Sequence, residues 1–216
     1  MVKKILFSFL MSSFLLTACI MEKPEENIYN ILENVVLVEN TFKEQQKPIS
    51  ELEKEEHELF NQIVALNVEQ FNQIQSLSQE AINILEEREE MMKKELESIQ
   101  QSKNEFSKVN EEMTKLEDEN LKEQIQNLQQ TMDKRYKSYE QLYNYYLEAL
   151  KLDKELYNML QNKELSLEEL EEHIKHINNA YKKVKEENKI FNQLTKEYNE
   201  MKMKFYQEAG LNIEES

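Results

Sequence analysis

The sequence predicts an all-α protein, an elongated up-and-down antiparallel helical bundle. Three observations carry that expectation. Apolar residues recur every seven positions through most of the 216 residues. There is one Gly and there are two Pro, so the tight turns that hairpins and sheets need have almost no material. The composition is rich in Glu, Lys, Leu, Gln and Asn, with 32% charged residues, which points to long helices. Disorder competes as a reading of so charged a chain, and the regular apolar spacing argues against it.

The first segment starts at Pro24, whose missing N–H does no harm in a first turn. Its heptad row runs Ile28, Val35, Phe42, Ile49, Glu56, Ile63, beside Ile31, Val38, Gln45, Leu52, Leu59 and Leu66. The phase passes Pro48 unchanged, which predicts one helix kinked at that proline. A hairpin at Lys47-Pro48 is the alternative, since an interior proline removes a hydrogen bond.

Near Asn67 the register slips by one, and a break is placed at Leu66–Val68, where Asn suits the left-handed conformation that ends helices. The second row runs Phe71, Ser78, Leu85, Met92, Ile99, Phe106, Met113. The polar stretch Glu117-Asp118-Glu119-Asn120 marks the next break. The third row is Leu121, Leu128, Arg135, Leu142, Ala149, Leu156, and it ends at Gln161 to Leu165. Ser166 and Glu169 then form the S-x-x-E pattern of a capping box. The last row is Leu170, Ile177, Val184, Phe191, Tyr198, Phe205, closed by Gly210. Four segments of about 43 to 50 residues would each be ~65–75 Å long. Short connections make them antiparallel neighbours. The alternative architecture is three long helices with a separate N-terminal arm. The helical domain spans 24–210, and 211–216 is a short tail.

The chain begins differently. Lys3 and Lys4 precede a mostly apolar run from Ile5 to Leu16, and then comes Leu16-Thr-Ala-Cys19. A basic start, a brief apolar segment and small residues at its end are the marks of an export signal. The run is too short to span a membrane. Cys19 is the only cysteine, so it has no intramolecular disulfide partner. The stretch looks like the lipobox of bacterial lipoproteins. That reading predicts removal of residues 1–18, a lipidated tether at 19–23, and diacylglycerol on Cys19, with or without an added N-acyl group. Two acyl chains supply the double signal that stable anchoring requires. The protein would then sit at the outer face of the cytoplasmic membrane, facing the wall.

A formal net charge of −16 narrows the partners. Nucleic acid would be repelled. Direct ionic attraction to a polyanionic wall polymer is disfavoured too, unless a divalent cation or a local basic patch mediates it.

Several stretches then carry a resemblance. The lipobox is followed by Pro24-Glu-Glu-Asn-Ile-Tyr29. Next come Phe42-Lys-Glu-Gln-Gln-Lys-Pro48, Glu86-Glu-Arg-Glu-Glu90 and Leu150-Lys-Leu-Asp-Lys-Glu-Leu-Tyr157. In that combination the chain resembles the YkyA-like cell-wall binding lipoproteins of Gram-positive bacteria, over essentially its whole mature length. The resemblance implies a helical-bundle fold and an envelope address. It brings no catalytic motif.

Few residues point to chemistry. His173 and His176 lie three apart on a helix near Glu169 and Glu172 and offer at most a weak surface metal site; His57 has no apparent partner. No metal or other cofactor is expected. Five of the ten tyrosines fall between Tyr136 and Tyr146. Tyr136, Tyr143 and Tyr145 are the candidate interaction surface, because flat rings with a hydroxyl edge stack on sugars and anchor interfaces. Tyr145 falls off both apolar rows and is the best exposed candidate. Half-burial in the bundle is the plainer alternative. Arg88, Glu95, Asp153 and Asn188 are polar residues at presumed core positions; such residues set helix register more often than they serve a site. No G-x-S-x-G, H-E-x-x-H or glycine-rich phosphate loop occurs. The expected role is therefore a non-catalytic, membrane-anchored binding or spacer module. Its candidate partners are the bilayer, peptidoglycan or another wall polymer, and an envelope protein. A metal- or ligand-binding bundle and a wall hydrolase are the lesser alternatives.

Overall fold

The computed structural model describes residues 23–211. The expected signal peptide at 1–18, Cys19, all but the end of the expected 19–23 tether, and residues 212–216 lie outside the described residues. The described chain is helical, with α1 (Pro24–Val38), α2 (Asn40–Val64), α3 (Phe71–Phe106), α4 (Val109–Met113), α5 (Glu119–Leu160) and α6 (Leu167–Glu208). A 3₁₀ turn at Val68–Gln70 links α2 to α3. These elements form four rods, α1 with α2, α3 with α4, α5, and α6, in an elongated up-and-down arrangement. At ~1.5 Å per residue α5 alone is about 63 Å long. The first rod packs along α3 and is no separate arm.

Local signals set most of the ends. Pro24 starts α1, with Glu25 and Glu26 in the first turn, where carboxylates complement the helix dipole. Asp118 caps α5 by accepting from the Asn120 and Leu121 N–H groups at 2.8 and 3.2 Å. Ser166 and Glu169 make the reciprocal capping box of α6. At its other end Gly210 takes φ 65. There the Leu211 N–H reaches the Tyr206 carbonyl at 3.0 Å and the Gly210 N–H reaches Gln207, a Schellman closure. A Cβ at Gly210 would touch nothing within 4 Å, so Gly210→Ala should cost only the left-handed backbone term. That loss, about 1 kcal/mol, would be read from the urea midpoint.

Three expectations need correction. The helix continues through Pro48 as its phase predicts, with no hairpin there, but the first rod as a whole is not one helix. The interruption is at Glu39, and its cause comes from another helix. The Ser98 hydroxyl of α3 donates to the Val38 carbonyl at 2.8 Å and accepts from the Phe42 N–H at 3.2 Å. Those two groups would otherwise bond each other in the i→i−4 ladder, so one inserted hydroxyl opens the helix there. Asn67 does mark the next break, but its φ of −105 makes it an extended N-cap, with Gln70 completing a capping box, and not a left-handed terminus. Finally, α3 stops at Phe106, and the short α4 follows before the polar connection at 114–118.

The core has two apolar clusters. One gathers Ile28, Leu32, Val35, Phe106, Ile125 and Phe205 at the end where α1 begins and α6 finishes. The other gathers Ile63, Ile82, Leu85, Met92, Leu150 and Tyr157 toward the opposite end. α6 packs along α5, α5 along α3, and α3 along α1 and α2. Around the first cluster aromatic pairs close the remaining side, with Tyr29 against Tyr206 at 4.7 Å and Phe42 against Phe191 at 5.8 Å between ring centres. Beyond Phe191 toward the start of α6 this closure stops. Leu170, Ile177 and Val184, the first three members of the α6 row, are only half-buried. A cleft separates α2 from α6 there.

Candidate binding cleft between α2 and α6

Three polar layers cross the interior, and each ties several rods together. In the first, the Arg135 guanidinium of α5 holds the Glu39 carboxylate through two 2.7 Å bonds, Nη1 to Oε1 and Nη2 to Oε2. Its Nε donates to Thr195 of α6 at 2.8 Å, and Ser102 of α3 donates to Glu39 at 2.5 Å. Glu39 can bend away from ideal helix geometry because this fork receives it.

The second layer is smaller. The Glu95 carboxylate of α3 accepts from Gln46 of α2 at 2.5 Å and from the Tyr139 hydroxyl of α5 at 2.7 Å. No cation joins it among the described ion pairs. Glu95 is 1% exposed. Burial pushes its pKa up to about 7, against the two hydrogen bonds and with the charge of Glu53 adding to the rise.

The third layer centres on Arg88 of α3, also 1% exposed. Its guanidinium reaches Glu56 at 3.1 Å and Glu53 at 3.3 Å, both on α2. It also donates to the Tyr146 hydroxyl of α5 at 2.8 Å and the Tyr181 hydroxyl of α6 at 3.2 Å. Tyr146 in turn donates to Glu53 at 2.8 Å, Tyr157 donates to Glu56, and Tyr181 donates to Asp153 at 2.5 Å. Burial pushes Asp153 up to about 6, with the Tyr181 bond opposing and Glu56 adding to the rise.

The second and third layers form the floor of the cleft. A cavity of about 540 Å³ lies over Glu95 and Glu53, walled by Phe42, Tyr139, Tyr181 and Phe191. A second cavity of about 440 Å³ adjoins it, lined by Arg88, Glu56, Asp153 and Phe60. Glu53 and Tyr181 line both. Volumes of this size suit small ligands or the side chains of a larger one.

The residues singled out in the sequence separate here. Arg88, Glu95 and Asp153 are buried and belong to the cleft floor. Asn188 is not a core residue; it is exposed, accepts from Asn192 at 2.7 Å and stands on the cleft wall. Tyr136 lies in the core, 1% exposed, with its hydroxyl 2.8 Å from that of Ser102, so it offers no outer surface. Its ring packs edge-on against Phe106, with 6.3 Å between ring centres. Tyr143 is half-buried. So is Tyr145, whose ring lies under the Lys183 ammonium at 5.5 Å. His173 is spent on the Leu152 carbonyl at 2.7 Å, whereas His176 and His57 are exposed. Among the described residues no three His, Cys, Asp or Glu side chains converge as metal ligands. Sequence reasoning did not single out Tyr181, Glu53 or Glu39. Glu56 and Arg135 stood in the heptad rows as polar interruptions, which was the one available signal.

Comparison with known proteins places this architecture. The family model described as "Putative cell-wall binding lipoprotein", YkyA, matches residues 23–208. The chain belongs to the YkyA family. It is 31% identical over 209 residues to the "Uncharacterized lipoprotein YkyA" of Bacillus subtilis (strain 168), covering 97% of this chain and 94% of that one. A 1.6 Å crystal structure of a conserved Staphylococcus aureus protein of unknown function is similar in fold, with TM-score 0.72. That likeness spans 84% of this chain and 91% of the other at 17% identity. The family description is one of envelope binding and not of a reaction. No helix among the described residues is long and apolar enough to cross a membrane.

Proposed function

We propose that this YkyA-family protein is a lipid-anchored, non-catalytic binding module that presents the α2–α6 cleft to the cell wall. The observation that carries the reading is the cleft itself. The bundle closes fully around one apolar cluster and leaves two adjoining cavities, rich in tyrosine, where α2 and α6 separate. Open aromatic and amide side chains beside a rigid scaffold bind sugar and peptide groups without moving.

Anchoring follows from Cys19. Only four residues separate it from Pro24, a reach of at most about 18 Å at the extended spacing of the chain. The end of the bundle that holds the start of α1 and the finish of α6 would therefore lie next to the bilayer. The turns at 65–70 and 161–166 would point into the wall. Cys19→Ala should move the protein from the detergent-extractable membrane fraction to the soluble extracellular fraction. A variant that stays membrane-bound would refute lipidation at this residue.

An adaptor for an envelope protein is the second reading. Tyr145, off the core rows and half-buried beneath Lys183, gives it an aromatic foothold on the outer face of α5 and α6. Crosslinking from this position to one envelope protein, without binding to isolated wall, would favour it.

A further inference from the structure

We infer that the cleft between α2 and α6 is a site for an extended aliphatic amine, held with its ammonium against Glu95 and its carbon chain between aromatic rings. The inference rests on reading the cleft as the binding face, and not on the lipid anchor.

Glu95 is the unusual acid of the interior. Glu39 has the two-pronged Arg135, Glu53 and Glu56 pair with Arg88, and Asp153, bonded to Tyr181, lies within the field of the Arg88 charge. Glu95 has only neutral partners, Gln46 and Tyr139, although it is 1% exposed and lines the larger cavity. A buried carboxylate is costly without a counter-charge. A cation entering this cavity would supply one. The floor carries a surplus of acid as well, because one guanidinium serves three carboxylates in the adjoining cavity.

The walls choose the type of cation. The rings of Phe42, Tyr139, Tyr146, Tyr181 and Phe191 border the larger cavity. Ring faces attract organic ammonium groups and cover the methylenes behind them. A divalent metal is a poor match, since it demands six or more oxygen ligands. Among the described residues no three acidic or His side chains converge to supply them, whereas an ammonium needs only the lone pair that each Glu95 oxygen keeps beside its one hydrogen bond. The second cavity, which shares Glu53 and Tyr181 with the first, gives an extended amine somewhere to lay its far end. A free diamine and a lysine-type side chain of a peptide share this chemistry.

Calorimetric titration of the full chain in detergent with 1,5-diaminopentane tests the site. The neutral 1,5-pentanediol and N-acetyl-lysine methylamide serve as comparators. Saturable binding of the diamine, at least tenfold tighter than the diol, is expected at pH 8. Glu95→Gln should weaken it at least tenfold while the protein stays folded. Affinity should also fall between pH 8 and pH 6 as Glu95 takes up its proton. The groups facing it are Gln46 and Glu53 from α2, Tyr139 from α5, and Tyr181 and Lys185 from α6. Equal binding of diol and diamine, undiminished binding by the Glu95 variant, or no saturable heat would each overturn the site. Tighter binding of the lysine derivative than of the diamine would assign the site to peptide, and the reverse order to a free amine. Diamine binding without retention on wall would keep the amine site and remove the wall as its setting.

Discussion

Arg88→Met should lower the stability of the folded protein by about 3 kcal/mol, the scale of breaking a buried ion pair by removing one partner. In a chain of this size that is a fall of roughly 6–12 °C in Tm. The substitution conserves much of the volume, so little of the loss comes from a cavity. It leaves Glu53 and Glu56 facing each other without a counter-charge and strips the Tyr146 and Tyr181 hydroxyls of their shared donor. Glu53 is partly exposed, with 43% side-chain accessibility against 16% for Glu56, so water relieves part of the penalty. The loss should shrink in the triple variant with Glu53→Gln and Glu56→Gln, because the stranded charges are then gone. Thermal unfolding of the single and triple variants measures both. A loss below about 1 kcal/mol for Arg88→Met would mean that the ring of tyrosines, and not the guanidinium, ties the rods together.

Glu95→Gln should do the opposite at high pH. The folded protein raises the Glu95 pKa from 4.5 to about 7, so it binds that proton more tightly than the unfolded chain does. The stability linked to the proton is therefore fully present below pH 4.5 and is lost as pH rises through 7. The whole shift amounts to about 3 kcal/mol. Asp153, raised from 3.8 to about 6, adds a loss of the same sign over a slightly lower window. Gln at 95 keeps a carbonyl oxygen for Tyr139 and carries no charge. The variant should thus exceed the native protein in stability by roughly 2–3 kcal/mol at pH 8. The gap should close toward pH 4.5. Urea unfolding across that range reads the difference directly, and a Glu95→Gln protein that is less stable at pH 8 would contradict the burial argument. Retaining a residue that weakens the fold at neutral pH is what a binding site does.

The helical rods were legible because burial repeats with the period of the helix. Rows such as Leu121, Leu128, Leu142 and Leu156 face inward as their spacing requires. The cap at Ser166 and the closure at Gly210 are local, so their chemistry shows in a few neighbouring letters, whereas the stretch holding the Asp118 cap was read only as a polar break. The interruption at Glu39 was not legible, since its agent, Ser98, lies on another helix. Pro48 drew attention because its effect is written in its own residue type. The polar residues Arg88, Glu95 and Asp153 stood out against the rows, but their partners did not. Glu53 falls off the heptad rows, Tyr181 stands one heptad before Asn188 with nothing local to name its partners, and both meet Arg88 only when four rods come together. The cleft itself was hidden for a related reason. The α6 row reads as uniformly apolar, yet Leu170, Ile177 and Val184 remain half-open, because the facing stretch of α2 carries Glu53, Glu56 and His57 in place of apolar residues. Asn188 shows the reverse error, a polar residue assigned to the core that stands exposed on the cleft wall, where α2 and α6 separate.

Co-sedimentation with purified sacculi tests the central claim, that the α2–α6 cleft is the wall-binding face. The full chain and Asn188→Trp would be compared, with and without teichoic acid and Ca²⁺. Asn188 is exposed on the cleft wall, so an indole there fills the opening without entering the core. Saturable pelleting of the native protein, weakened at least fivefold by Asn188→Trp at unchanged Tm, is the predicted result. Equal pelleting of the two proteins, or none by the native chain, would contradict it.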